Sequence, residues 1–372
     1  MTSLYVHYPW CVRKCPYCDF NSHPLKPDTP GGEDYTRLLI ADLNEQLRIF
    51  GDHLSLPFAS VFFGGGTPSL MQPKAVAEFL ADAPVQAETE VTLEANPGTQ
   101  EYVDFGALRQ SGVNRLSIGA QSFDDHSLQQ LGRIHSANET HLACKAARRG
   151  GFDNFNLDVM WGLPGQKVAG AISDLRQAIE LEPKHISWYQ LTIEPKTEFA
   201  RRIPVLPEEA LLSDMEAAGL ELLQQAGFER YEVSAFALDG YQCRHNLNYW
   251  SFGDYVGVGA GAHGKVTKTM NNAQHLTRTS RPSQPRLYAR PPMGLDQFNI
   301  EQSELAAEFM LNALRLVEGV SFQVFEQHTG LSWASQQPTW QRLVENGLVR
   351  TDKICTTPLG LRYLDSVVAE FV

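Results

Sequence analysis

Three cysteines, Cys11, Cys15 and Cys18, stand in the run Trp10-Cys11-Val12-Arg13-Lys14-Cys15-Pro16-Tyr17-Cys18. This C-x3-C-x2-C spacing lets three thiolates hold three irons of a [4Fe–4S] cluster and leaves the fourth iron open to a small molecule, cysteine thiolate being the usual ligand of such clusters. A zinc site normally takes four ligands, often as two separated pairs. His7 and His23 could complete one, so a structural zinc protein stays open as the non-redox alternative. A disulfide fits poorly with an N-terminus that carries no charged n-region or cleavage site. Cys144, Cys243 and Cys355 are scattered, and Cys144, in an alanine-rich helical stretch, reads as a small buried hydrophobe.

Further chemistry falls at the ends of expected strands. Gly64-Gly65-Gly66-Thr67-Pro68 follows the second, and glycine there lets backbone groups approach a ligand closely. The third ends Leu93-Glu94-Ala95-Asn96-Pro97-Gly98. Glu94 is acidic in an otherwise apolar strand, a costly placement unless it is paired or hydrogen-bonded. Gln121 lies just past the fourth, Arg133 follows in Leu131-Gly132-Arg133-Ile134-His135, and the fifth carries Asp158. Two carboxylates, an amide and a guanidinium suit a polar ligand with an amine, a carboxylate and a ribose. Singly, each could be a surface ion pair or a cap; sharing one location makes the binding reading the stronger one.

The elements that must position these groups alternate. Strands are expected at Leu4–Tyr8, Ser60–Phe63, Glu90–Glu94, Arg115–Ile118, Asn154–Val159 and His185–Thr192. Between them come helices at Asp34–Phe50, Lys74–Asp82, Tyr102–Ser111, Asp125–Leu131, Asn138–Gly150 and Val168–Leu181. Strand–helix repetition argues an α/β fold with a parallel sheet, and six such units fit a partial (β/α)6 barrel better than a full eight-unit one. Pro207–Gly227 adds a helix and Arg230–Ala235 one more short strand. The barrel is expected to span residues 1–266. Residues 267–299, rich in Thr, Asn, Arg and Pro with little periodicity, read as a linker or long loop. Residues 300–372 read as a small winged-helix-like α+β domain in a structural or lid role.

The 372 residues suffice for one large and one small domain, and no apolar run could span a bilayer. A cytoplasmic protein is expected, with at most peripheral membrane association. A net charge of −12 argues against nucleic-acid binding. The local basic patch over residues 278–290, with Arg278, Arg281, Arg286 and Arg290, reads as a solvated loop.

The cysteine triplet followed by the glycine run resembles the radical S-adenosylmethionine (SAM) superfamily. Tyr5-Val6-His7-Tyr8-Pro9-Trp10-Cys11, Glu94-Ala95-Asn96-Pro97, Ser117–Phe123, Gly132-Arg133-Ile134-His135 and Gly162-Leu163-Pro164-Gly165-Gln166 are similar to the branch related to oxygen-independent coproporphyrinogen III oxidase, over almost the whole chain. The resemblance implies that Cys11, Cys15 and Cys18 bind the cluster. It implies that Tyr5, Tyr17, Gly65, Gly66, Thr67, Glu94, Gln121, Arg133 and Asp158 bind SAM. In that superfamily the amino and carboxylate groups of SAM chelate the open iron, and the reduced cluster cleaves the sulfonium to a 5′-deoxyadenosyl radical.

Two departures bear on the subfamily. The oxidase has a fourth cysteine two positions after the third, where this chain has Phe20, and a long N-terminal extension before its first cysteine. Both departures argue against coproporphyrinogen oxidase activity and match the HemW-type heme chaperones. Cys243-Arg244-His245-Asn246-Leu247-Asn248-Tyr249-Trp250 contains the H-N-x-x-Y-W motif proposed for heme in those chaperones. Histidine is a common axial ligand to heme iron, and Tyr249 and Trp250 supply flat apolar surface. A capped turn with two buried aromatics is the blander reading. Cys243 and His263 are alternative iron contacts to His245. The resemblance thus implies a [4Fe–4S], SAM and heme protein that passes heme to apo-haemoproteins, such as those of a respiratory chain, with a homodimer conceivable. On this reading slow SAM cleavage is no contradiction. The alternatives are a radical SAM oxidoreductase acting on coproporphyrinogen in porphyrin biosynthesis, or one acting on an unrelated substrate.

Overall fold

The computed structural model describes residues 1–26, 32–98, 104–270 and 273–372. Its frame is a run of six parallel strands: β1 Thr2–Tyr8, β2 Ser60–Gly65, β3 Glu90–Ala95, β4 Arg115–Gln121, β5 Phe155–Trp161 and β6 His185–Gln190. They pair in sequence order, as six strand–helix units of a partial barrel require. Helices at Gly32–Phe50, Pro73–Asp82, Phe105–Gln110, Asp125–Gln130, Ala137–Arg149 and Val168–Glu180 form the crossovers. Each lies within a few residues of expectation. The first two residues expected of the third, Tyr102 and Val103, lie outside the described residues.

The strands alternate as their sequences require. One set of side chains, among them Leu4, Val6, Val61, Phe63, Leu93, Leu116, Ile118 and Leu157, is buried in the main core beneath the helices. The other set, Tyr5, Glu94, Ser117 and Asp158, is polar or aromatic and forms cavity wall. The helix Ala137–Arg149 begins with a capping box, Ser136 against Glu139. Cys144 is fully buried on it.

Three expectations fail. The single strand Arg230–Ala235 is two short ones: β8 Ala235–Ala237 pairs antiparallel to β6, and β7 Glu229–Arg230 pairs antiparallel to β8 at the far edge. Residues 267–299 are not a linker. Most of the described residues before 281 and the last four lie in β10 His263–Met270, β11 Ala273–Ser280 and β12 Asp296–Asn299, antiparallel strands that continue the sheet from β9 Asp254–Val258 on the other flank of β1, and a short helix Pro285–Tyr288 lies between β11 and β12. The polar residues that resembled a linker are a hairpin half exposed to solvent, where alternation is the only signal and β-branched Thr is a good strand former. The arginines there are not all a solvated loop. Arg278 sits in β11 and pairs with Glu308, and Arg281 is fully buried against Asp42.

After residue 300 a second core gathers Leu305, Phe309, Met310, Phe325, Trp340, Leu343 and Val367, and takes in Phe252 and Leu276 from the sheet side. The segment Leu348–Thr356 folds back through bridges Val349–Thr356 and Val320–Ile354, as the winged-helix-like expectation requires. Among the described residues no helix is long and apolar enough to cross a membrane.

Candidate functional site

At the carboxyl ends of the parallel strands the chain opens into a cavity lined by Cys11, Cys15 and Cys18. The cysteine loop is placed by backbone. Trp10–Cys11 pairs with His23–Pro24, and the glycine run lies against it, Gly66 N–H donating to Tyr8 O (2.7 Å) and Thr67 N–H to Trp10 O (2.8 Å). A Cβ on Gly66 would stand 2.4 Å from Trp10 O, and one on Gly65 would stand 2.5 Å from the His7 ring. The glycines are therefore demanded by the approach of two chain segments as well as by any ligand. Asn21 anchors the end of the loop across the sheet, its amide donating to Ala260 O and Ser283 O, both at 2.9 Å.

Eight of the nine residues expected to bind SAM line this same cavity: Tyr17, Gly65, Gly66, Thr67, Glu94, Gln121, Arg133 and Asp158. Tyr5 does not; it lines the neighbouring cavity described below. Glu94 accepts from Gly65 N–H at 3.1 Å. Burial, and then the nearby Asp158, push its carboxyl up to about 8. Asp158 accepts from Ser117 Oγ (3.0 Å) and Asn156 Nδ2 (2.8 Å), and burial raises its pKa too. Arg133 donates to Asn96 Oδ1 at 2.6 Å and Gly119 O at 3.0 Å, with Cys15 Sγ at 3.7 Å. Gln121 holds φ +66, where the register of β4 against β5 shifts. A left-handed non-glycine costs about 1–3 kcal/mol and marks a side chain whose direction is imposed; here Gln121 Oε1 accepts from Tyr189 O–H at 2.6 Å. Asn96 and Tyr189 went unnamed as site residues from the sequence. The strand-end rule that found their neighbours applies to Asn96, one residue beyond β3, and to Tyr189, near the end of β6.

The donor set fits a cluster better than a single ion. Cys11 is buried, Cys15 and Cys18 are half-buried, and all border one space. Among the described residues no three His, Cys, Asp or Glu side chains converge as ligands of one metal ion must. A cluster bound one thiolate per iron needs no such convergence. Neither of the two histidines considered for zinc lines the cysteine cavity. His7 is engaged with Tyr5 O–H (3.0 Å) and Asn21 O (2.8 Å), and His23 with Asn21 Oδ1 (3.2 Å).

A second cavity of about 710 Å³ adjoins the first and shares Phe20, Gly65 and Glu94 with it. Its volume lies within the few-hundred to thousand Å³ range typical of ligand pockets. His245, Tyr249 and Trp250 line it from the helix Arg244–Trp250, together with Tyr5, Phe62 and His263, and the His245 ring packs against Phe62 with centroids 5.0 Å apart. The start of that helix is pinned to β3, for Glu90 Oε1 accepts from Arg244 N–H at 2.9 Å. Burial, and then the charge of Arg115, lower the His245 pKa to about 3, so the ring is neutral at ordinary pH. Ser60 Oγ gives its one proton to Ser3 Oγ (2.8 Å) and lies 3.1 Å from His245 Nδ1. In the tautomer that carries its proton on Nδ1, Nδ1–H donates to Ser60 Oγ and the lone pair stands on Nε2. Cys243 is buried against Glu90 and does not line this cavity, so it is no candidate iron contact. His263 does line it, exposed at the mouth. Phe20, on the wall common to both cavities, is 60% exposed.

Residues 5–176 match the Radical SAM superfamily, and residues 300–363 the HemN C-terminal domain. The chain is 48% identical to "Heme chaperone HemW" of Haemophilus influenzae, over 89% of this chain and 86% of that protein. It is 44% identical to "Heme chaperone HemW" of Escherichia coli, over 100% and 98%. Among solved structures, coproporphyrinogen III oxidase (HemN) from Escherichia coli superposes with a TM-score of 0.80 at 20% identity, covering 100% of this chain and 89% of that one; at that identity the likeness concerns the fold.

Proposed function

The chain belongs to the family of the heme chaperone HemW, within a superfamily whose members carry a [4Fe–4S] cluster and SAM, and we propose that it binds heme beside that site and delivers it to apo-haemoproteins. The observation that carries this reading is the cavity beside the cysteine site, with a neutral histidine on its wall. A neutral imidazole with a free Nε2 lone pair is what an axial ligand to heme iron requires, its Nδ1–H oriented by a second group. Ser60 Oγ, 3.1 Å from His245 Nδ1, is placed to be that group. Tyr5, Phe62, Tyr249 and Trp250 offer the aromatic surface that a porphyrin face needs.

In the first cavity Cys11, Cys15 and Cys18 would hold the cluster, and the eight residues named above would hold SAM. When bound, the cluster supplies one-electron reduction of the sulfonium. The protein's own groups bind and orient. Arg133, already held by Asn96 Oδ1 and Gly119 O, suits a carboxylate. Glu94, once ionised, suits a cationic group, and Asp158 suits ribose hydroxyls. The Phe20 ring, lacking any thiol, lies on the shared wall where the oxidase resemblance would put a fourth cysteine.

An anaerobic heme titration of cluster-loaded wild type and His245→Ala, with a coproporphyrinogen turnover assay on the same samples, tests the proposal. Saturable binding by wild type, about tenfold or more weaker in the variant, with no porphyrin product, is expected. Product without stable heme binding would return the protein to the oxidase reading and make Phe20 a tolerated replacement.

A further inference from the structure

Tyr249 and Trp250 wall the second cavity, yet neither is held in place by its own helix alone. Tyr249 lies one turn beyond His245, on the same helix face. Its ring stacks on Tyr255 of β9 with centroids 4.3 Å apart, and its hydroxyl donates to Tyr255 Oη at 2.7 Å. Arg278 of β11 donates to that same oxygen at 2.7 Å. The other arm of Arg278 is ion-paired to Glu308, on the helix Leu305–Ala313. Trp250 is gripped separately: the Arg315 guanidinium lies 4.4 Å from its ring centre and reaches Glu232 at 3.8 Å. Glu308 and Arg315 both belong to the C-terminal region, whose core also takes in Phe252, two residues past Trp250.

We infer that Arg278, Glu308 and Arg315 are positioning residues for the His245 cavity, so that seating of the C-terminal region sets the aromatic wall against which heme packs. This rests on the heme reading above and deepens it by giving the C-terminal region a part in the site. The physical basis is the length of the chain of contacts. A carboxylate fixes a guanidinium, the guanidinium fixes a phenol, and the phenol fixes the ring that faces the ligand. Hydrogen bonds to charged groups are the stronger kind. None of the three groups need touch heme to govern its fit.

The test uses the full, cluster-loaded chain, anaerobically, as wild type, Arg278→Gln, Arg278→Lys and Glu308→Gln. Amide hydrogen exchange over Arg244–Trp250 is measured without heme, and affinity and the absorption spectrum of bound heme are measured by titration. Brown cluster absorbance per chain verifies the fold of each variant. Arg278→Gln is expected to exchange faster in that helix, bind heme about five- to tenfold more weakly and shift the bound-heme spectrum. Arg278→Lys should recover part of the loss, and Glu308→Gln should show the same changes more mildly. Affinity and spectrum matching wild type in both Arg278→Gln and Glu308→Gln overturn the inference. Wild type that binds no heme, while the variants loosen the helix, sinks the heme reading and leaves the positioning role standing.

Discussion

Glu94 shows how a single residue's environment becomes a measurable property. Its carboxyl titrates near 8 in the folded chain against an ordinary 4.5, first because it is buried and then because Asp158 is close. Between those two values the folded protein holds a proton that the unfolded chain has released. Stability contributed by this group is therefore present at low pH and lost as pH rises towards about 8. In cluster-loaded, SAM-free protein the denaturation midpoint of wild type should fall from pH 5 to about 8 more steeply than that of Glu94→Gln. Parallel profiles would mean that Glu94 is already ionised. The sequence could flag Glu94, since a carboxylate in an apolar strand demands an explanation. It could not show that His245 is neutral, because that depends on burial in the folded chain and then on the charge of Arg115, far along the chain.

At the scale of the element, the glycine run and the cysteine loop are one object. Gly66 has no room for a Cβ because Trp10 backbone, immediately before Cys11, occupies the space. Gly66→Ala should push the cysteine loop away, cost about 1–3 kcal/mol and lower cluster content per chain. Chemical denaturation and iron content check both. Normal cluster loading with reduced stability would show that the loop adapts without moving its thiols. The run of glycines was legible as a close approach, but what it approaches is a neighbouring strand end as much as a ligand. Over residues 267–299 the reading failed for a different reason. A hairpin on the flank of a sheet needs only weak alternation, and its polar residues are paired by strands the local sequence does not name.

Across the whole molecule, the two flanks of β1 are tied by a buried ion pair. Asp42, on the helix Gly32–Phe50, accepts from Arg281 just past β11, from Tyr288 and from Gly259 N–H, and both charged side chains are fully buried. Burial opposes ionisation of Asp42, and the Arg281 charge is the largest effect in its favour. Asp42→Ala leaves a guanidinium without that partner in the interior and should cost about 3–5 kcal/mol. A denaturant midpoint close to wild type would show that Glu45, the second carboxylate on Arg281, suffices.

By itself the sequence determined the cluster motif, the six strand–helix units and the placing of polar residues at strand ends. These follow from local spacing and from periods of two and 3.6, which short stretches carry intact. Only the tertiary structure decided what those residues share. It put eight SAM candidates around one cavity and Tyr5 around the next, withdrew Cys243 into the core, and joined the C-terminal region to the His245 wall through Arg278 and Glu308. Such contacts link residues tens to hundreds of positions apart. They arise from how the sheet is ordered and closed, which no local window of the chain contains.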